Sequence, residues 1–229
     1  MRAVFLKEIK AYLNSLSLYM FAALILLAGG ASLAMASSSA SRTASVTDGL
    51  GYMLFITSPL LSMRLGYGKS GIDRALFSAP VSMGSIIAGK YLSAVAVLSA
   101  ALAVSFVYPV MIAAWGDISW SETLAGYLGL LLLGAALISA GVFVSSFPIG
   151  KPAAALLTVS LMLLILLLQA VIPGISSAWL RLFMTKVSPL YHMHVFGMGL
   201  INFSSVVYFI SFILLFLLTA AGIIQRRRA

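Results

Sequence analysis

The sequence predicts an all-α membrane protein: six transmembrane helices behind an N-terminal interfacial helix, with both termini cytoplasmic. Three observations carry this. Of 229 residues, 62% are hydrophobic and only 8% are charged, against roughly 25% charged in a soluble domain whose surface must be wet. The chain holds several uncharged runs of the length that crosses the ~30 Å hydrocarbon core, which takes about 20 apolar residues. The basic residues cluster between those runs on alternate sides, as cytoplasmic loops do.

The first 15 residues, "RAVFLKEIKAYLNS" after the initial Met, place Val4, Phe5, Ile9, Tyr12 and Leu13 near helical spacing, with Arg2, Lys7, Glu8 and Lys10 on the other side. That pattern describes a helix lying in the inner interface, its basic side toward anionic headgroups. The run at 17–37 follows. Its end, "AMAS", imitates a signal-peptidase site, but about 20 apolar residues exceed a signal's 7–15-residue core, so the run reads as a retained span.

Spans are then expected at 45–65, 91–114, 123–146, 152–172 and 203–224. The second is the weakest, with Asp48 at its outer end and Pro59 inside. Charge balance decides for it. With six spans, Arg2, Lys7, Lys10, Arg64, Lys69, Arg74, Lys90, Lys151 and Arg226 to Arg228 lie inside. Only Arg42, Arg181 and Lys186 lie outside, eleven and three of the 14 basic residues. Without it, nine would lie outside against five, which opposes the positive-inside rule. Pro59 and Pro109 are expected to kink their helices. Ala28, Ser32 and Ala36, and again Ala136 and Ala140, recur four apart and allow close helix approach.

Between the spans, 66–90 is a long basic cytoplasmic loop whose "IDRALF" and "VSMGSIIAGKYL" parts read as short amphipathic helices broken at Ala79–Pro80. The loop "FPIGKP" is tight. The segment 173–202 is extracytoplasmic and carries an amphipathic stretch, "SAWLRLFMTKV".

Two near matches to a phosphate-binding loop lie in the basic loop. That motif requires Gly, four residues, then Gly-Lys-Ser or Gly-Lys-Thr, after a strand. Gly68–Lys69–Ser70 has Met63 in place of the leading glycine; Gly84 with Gly89–Lys90 ends in Tyr91. Neither follows a strand pattern, so ATP hydrolysis in this chain is not expected. No Asp, Glu, His, Lys or Arg lies within a span away from its ends, which disfavours an ion-coupled carrier and an intramembrane hydrolase. Gln169 is the most polar deep residue and reads as a helix contact. Cysteine is absent, excluding disulfides and thiolate sites. His192, Met193, His194 and Met198 suggest Cu(I) by residue type, but histidines at i and i+2 do not share a helix face, and no metal or other cofactor is expected. The net charge of +9 reads as membrane topology, without a nucleic-acid partner.

The stretches "LKEIKAYLNSLSLYMF", "SPLLSMR", "FSAPVSMGSIIAGKYLSA", "YLGLLLLGAALISAGVFVSS" and "SPLYHMHVFGMGLINFSSVVYF" resemble the ABC-2 family of export permeases, nearest its gliding-motility and copper-maturation subgroup. The resemblance touches every span. It implies the ABC-2 (type V, ABCG-like) exporter fold in a bacterial inner membrane. It also implies two ABC ATPase subunits as partners, and a second permease copy or a sister permease. The loop after the second span then becomes the coupling element, with Arg64, Lys69, Asp73, Arg74, Lys90 and Lys151 as the residues that meet the ATPase. Where the family carries acids in that loop, this chain has Gly66-Tyr67 and, as its one acid, Asp73. The competing expectation is a membrane scaffold or mechanical transmitter driven by an ABC ATPase without transport.

Overall fold

The computed structural model describes residues 2–35, 42–62, 83–115, 118–147, 150–174 and 176–226. These form helices without a strand: α1 Arg2–Leu13, α2 Leu16–Met35, α3 Arg42–Ser62, α4 Met83–Ser105, α5 Val107–Trp115, α6 Trp120–Ser145, α7 Lys151–Val171, α8 Ala178–Val187, α9 Pro189–Gly197 and α10 Phe203–Arg226. A short 3-10 turn, Ile172–Gly174, follows α7.

Five stretches are long and apolar enough to cross a membrane: Leu16–Met35, Gly84–Ala114, Trp120–Ser145, Pro152–Gly174 and Phe203–Arg226. The protein is therefore multi-pass. The expected span at 45–65 corresponds to α3, which has 21 residues and so a length of about 31 Å at 1.5 Å per residue. It falls short in hydropathy because Thr47, Asp48, Thr57, Ser58 and Ser62 interrupt its apolar run. Four of them, Thr47, Thr57, Ser58 and Ser62, are buried. α3 packs on α2 and on α6, and most of its polar residues are buried there. Such residues are tolerated where the backbone or a neighbouring helix satisfies them. The Thr57 hydroxyl, for instance, donates to the Met53 carbonyl at 2.8 Å.

α6 is the central post. It packs against α3, α4, α7, α9 and α10, and 78% of its most apolar window is buried, whereas no other candidate span exceeds 39%. Small residues make this possible. A Cβ on Gly126 would meet Thr47 at 2.9 Å, on Gly129 would meet Phe196 at 2.6 Å, and on Gly134 would meet Leu98 at 2.5 Å. Three faces of one helix thus admit three neighbours closer than an alanine would allow. Ala136 and Ala140 are buried on the same helix. Ala28 and Ser32 of α2 lie on its packed part, with Ser32 against Gly49 of α3; Ala36 lies outside the described residues.

α3 is one helix that includes Pro59. The long span 91–114 is interrupted at Phe106, three residues before Pro109, where α4 stops and α5 starts, in line with the kink expected there. Its first helix also starts earlier, at Met83, so the "MGSIIAGKYL" segment continues into the span without a break. The segment after α7 folds into α8, as its amphipathic pattern predicts, and α9, which the pattern did not announce.

Candidate functional site

The expected coupling residues Arg64, Lys69, Asp73 and Arg74 lie in 63–82, outside the described residues. What the structure describes is the base from which that segment departs and to which it returns. The described part of α3 closes with Pro59, Leu60, Leu61 and Ser62, each bearing a backbone carbonyl. Two of them are taken by side chains from other helices. The Tyr12 hydroxyl donates to the Leu61 carbonyl at 2.8 Å, and the Ser145 hydroxyl donates to the Ser62 carbonyl at 3.2 Å. Tyr12 is 1% exposed, so the amphipathic first helix is bolted to the end of α3 by a buried bond. The Ser15 hydroxyl donates to the Tyr12 carbonyl at 2.8 Å and shapes the turn from α1 into α2.

Beside it, α6 comes within side-chain contact of α3. A Cβ on Gly141 would meet the Ser62 Oγ at 2.6 Å and the Thr158 methyl of α7 at 3.6 Å. The end of α3 is thus held between α1 and α6, with α7 next to it.

The return limb is α4. Ile86 and Ile87 are buried in its first turns, the Tyr91 hydroxyl donates to the Ala135 carbonyl of α6 at 3.3 Å, and α1 packs along it. Lys90, expected to face a partner, is 3% exposed: its side chain is turned into the protein. A lysine buried this far has its long aliphatic stem available for packing, and the Ser93 hydroxyl donates to its carbonyl at 2.6 Å. Gly84, Gly89 and Lys90 all lie on this one helix. In a phosphate-binding loop, the Gly-Lys pair opens a helix and the preceding backbone N–H groups converge on phosphate. Here Gly89 and Lys90 sit about two turns into α4, where the N–H groups bond within the helix.

Lys151 opens α7, after a Gly150 N-cap. Lys7 and Lys10 of α1 are exposed, and Arg226 closes α10, so cations recur at the ends of the helices that share this side with the end of α3. The acid on α1 is Glu8, half-buried.

At the opposite end, the histidines part. His192 is 6% exposed, with Nε2 2.9 Å from the Lys186 carbonyl and Nδ1 2.9 Å from the Ser205 hydroxyl. A carbonyl only accepts, so Nε2 carries the hydrogen and donates; Nδ1 of the neutral ring accepts from Ser205. The ring stacks on Tyr208 at 4.1 Å. Burial holds its pKa below the ordinary value; the hydrogen bond to the Lys186 carbonyl opposes this and the Lys186 charge adds to it. His194 points elsewhere, with Nδ1 3.3 Å from Asp48 on α3. Both nitrogens of His192 are thus engaged, and the two rings do not converge. Gln169 accepts from the Ser188 hydroxyl at the start of α9, so it joins α7 to the segment that follows it.

Sequence reading missed the bolts themselves. Tyr12, Ser62, Gly141 and Ser145 carry no motif; Tyr12 alone had a signal, its place on the apolar side of α1. No protein-family model matches the chain, and no curated protein matches it.

Proposed function

We propose that this chain is the membrane-spanning subunit of an ATP-binding-cassette exporter, driven by two ATPase subunits that dock where 63–82 leaves the bundle. On this reading α3 is a sixth span, both termini and the 63–82 segment are cytoplasmic, and a second copy or a sister permease completes the pathway. The resemblance to ABC-2 permeases suggests it. The observation that carries it furthest is the clamp on the end of α3, where Tyr12 and Ser145 take the carbonyls of Leu61 and Ser62. A segment that receives a push from a soluble motor is useful only if its base is tied to elements that move with it. Close-packed interiors transmit such strain. Displacement of 63–82 would pass through Leu61 to α1 and through Ser62 to α6, the helix on which α3, α4, α7, α9 and α10 pack. Energy from a partner also suits spans without ionisable residues at mid-depth.

In this scheme Asp73 receives a basic residue of the ATPase, and Lys90 works from within the bundle as part of the α4 limb. The chain has no cysteine, so Asp73→Cys gives a single reactive site. Cross-linking in cells followed by mass spectrometry should join position 73 to a chain with complete nucleotide-binding motifs. The purified pair should hydrolyse ATP faster with substrate present. Labelling of position 73 by an impermeant reagent from outside intact cells would overturn the topology, and cross-links confined to a second copy of this chain would overturn the ATPase assignment.

A further inference from the structure

At the end of the molecule opposite the α3 clamp, α7, α8, α9 and α10 enclose a cleft of about 320 Å³, within the range of small-molecule sites. Its walls include Ile165 and Leu168 of α7, Phe183, Met184 and Val187 of α8, and Phe212 of α10, and they are almost wholly apolar. The few polar groups there are already used. The Ser188 hydroxyl donates to Gln169, and the Tyr208 hydroxyl donates to the Val187 carbonyl at 2.6 Å.

α8 forms its outer wall and buries none of its own residues. Trp179, stacked on Phe183 at 6.1 Å, remains 76% exposed, as befits an aromatic at a membrane interface. Arg181 precedes Met184 by three residues and Lys186 follows Phe183 by three, so each cation neighbours a cleft-lining residue on the helix surface. Both are exposed. The whole segment 173–202 contains no acidic residue.

We propose that this cleft binds one acyl chain of an anionic phospholipid from the adjacent leaflet, with its phosphate held by Arg181 and Lys186. An apolar slot open toward a bilayer selects an acyl chain. The two exposed cations of α8, the wall helix, select the negative headgroup. This rests on the chain being a membrane protein and is independent of the ATPase reading, since it needs no partner subunit.

The test uses the full-length chain in mixed phosphatidylglycerol–phosphatidylcholine nanodiscs, transferred to native mass spectrometry after graded detergent washing. The chain should retain one phosphatidylglycerol in preference to phosphatidylcholine. R181Q/K186Q should lower that preference roughly 30-fold, on the scale of two basic residues near a charged membrane surface, with circular dichroism unchanged. Leu168→Trp, which fills the cleft and leaves both cations in place, should also abolish retention. Equal retention of the two lipids by the unaltered chain would overturn the proposal. So would phosphatidylglycerol retention that survives Leu168→Trp, because the lipid would then sit on the α8 surface alone.

Discussion

The Tyr127 hydroxyl on α6 donates to the carbonyl of Ser105 on α4 at 2.9 Å, and Ser105 is the residue four before Pro109. In a continuous helix that carbonyl would receive the N–H of residue 109. Proline has none, and its ring crowds the same oxygen. The helix therefore breaks between Ser105 and Val107, and a phenol from the central helix takes the orphaned acceptor. Phe106 at the break lies edge-on to Tyr127 with ring centroids 5.1 Å apart. The Ser105 hydroxyl turns back to the Leu102 carbonyl at 2.8 Å.

Tyr127→Phe removes the donor and keeps the ring. Within a membrane it should destabilise the protein by about 0.5–2 kcal/mol. Pro109→Ala restores a backbone N–H opposite Ser105, so Tyr127→Phe should cost less in that background. A double-mutant cycle by detergent-induced unfolding measures the difference; strict additivity would mean that the two residues do not share the carbonyl.

The contact between Gly141 and Ser62 predicts a size-swap. Gly141→Ala places a methyl against the Ser62 side chain and should destabilise by about 1–3 kcal/mol, the usual effect of overpacking. Ser62→Gly in addition should recover most of the loss, whereas Ser62→Ala, which keeps the Cβ, should not. Thermal unfolding of the three variants decides it.

Tyr12→Phe should release α1 while leaving the bundle folded. The lost bond is buried, and its removal should cost about 0.5–1.5 kcal/mol. A spin label at position 7 should gain mobility in the variant, with total helix content by circular dichroism unchanged.

His192 sets a pH dependence at the other end. Its pKa in the folded protein lies below the ordinary 6.5. As pH falls below about 6.5 the unfolded chain therefore takes up a proton before the folded one does. Stability then falls with pH until the folded pKa is reached. Near-UV circular dichroism during detergent unfolding should show lower stability at pH 5.5 than at 7.5, and His192→Gln should flatten that difference.

The five apolar spans were legible because an uncharged run of about 20 residues needs no tertiary information to be recognised. α3 was reached only through the placement of basic residues, since its threonines and serines are masked by helices distant in sequence. The helical reading of "VSMGSIIAGKYL" matches the start of α4, but nothing local reveals that the Lys90 side chain turns inward. Pro109 announced a break, but the residue that completes it, Tyr127, lies on another helix. The clamp at Leu61 and Ser62 was illegible for the same reason: a tyrosine or serine bonding a terminal carbonyl leaves no periodicity behind. Arg64, Lys69, Asp73 and Arg74, the heart of the expected coupling site, lie outside the described residues.

The modest hydropathy of α3 bears on how the chain is made. On the proposed topology, the translocon meets residues 42–62 long before α6 has been synthesised, and a helix carrying Asp48 and several hydroxyls partitions poorly into lipid by itself. Its polar side is covered only when Gly126 and Gly141 of α6 arrive against Thr47 and Ser62. Biogenesis is therefore out of order along the chain: α3 settles late, held beside α2 until the central post emerges. Nascent chains stalled shortly after α5 should leave the 63–82 segment accessible from the wrong side in a fraction of molecules, and chains extended past residue 145 should not.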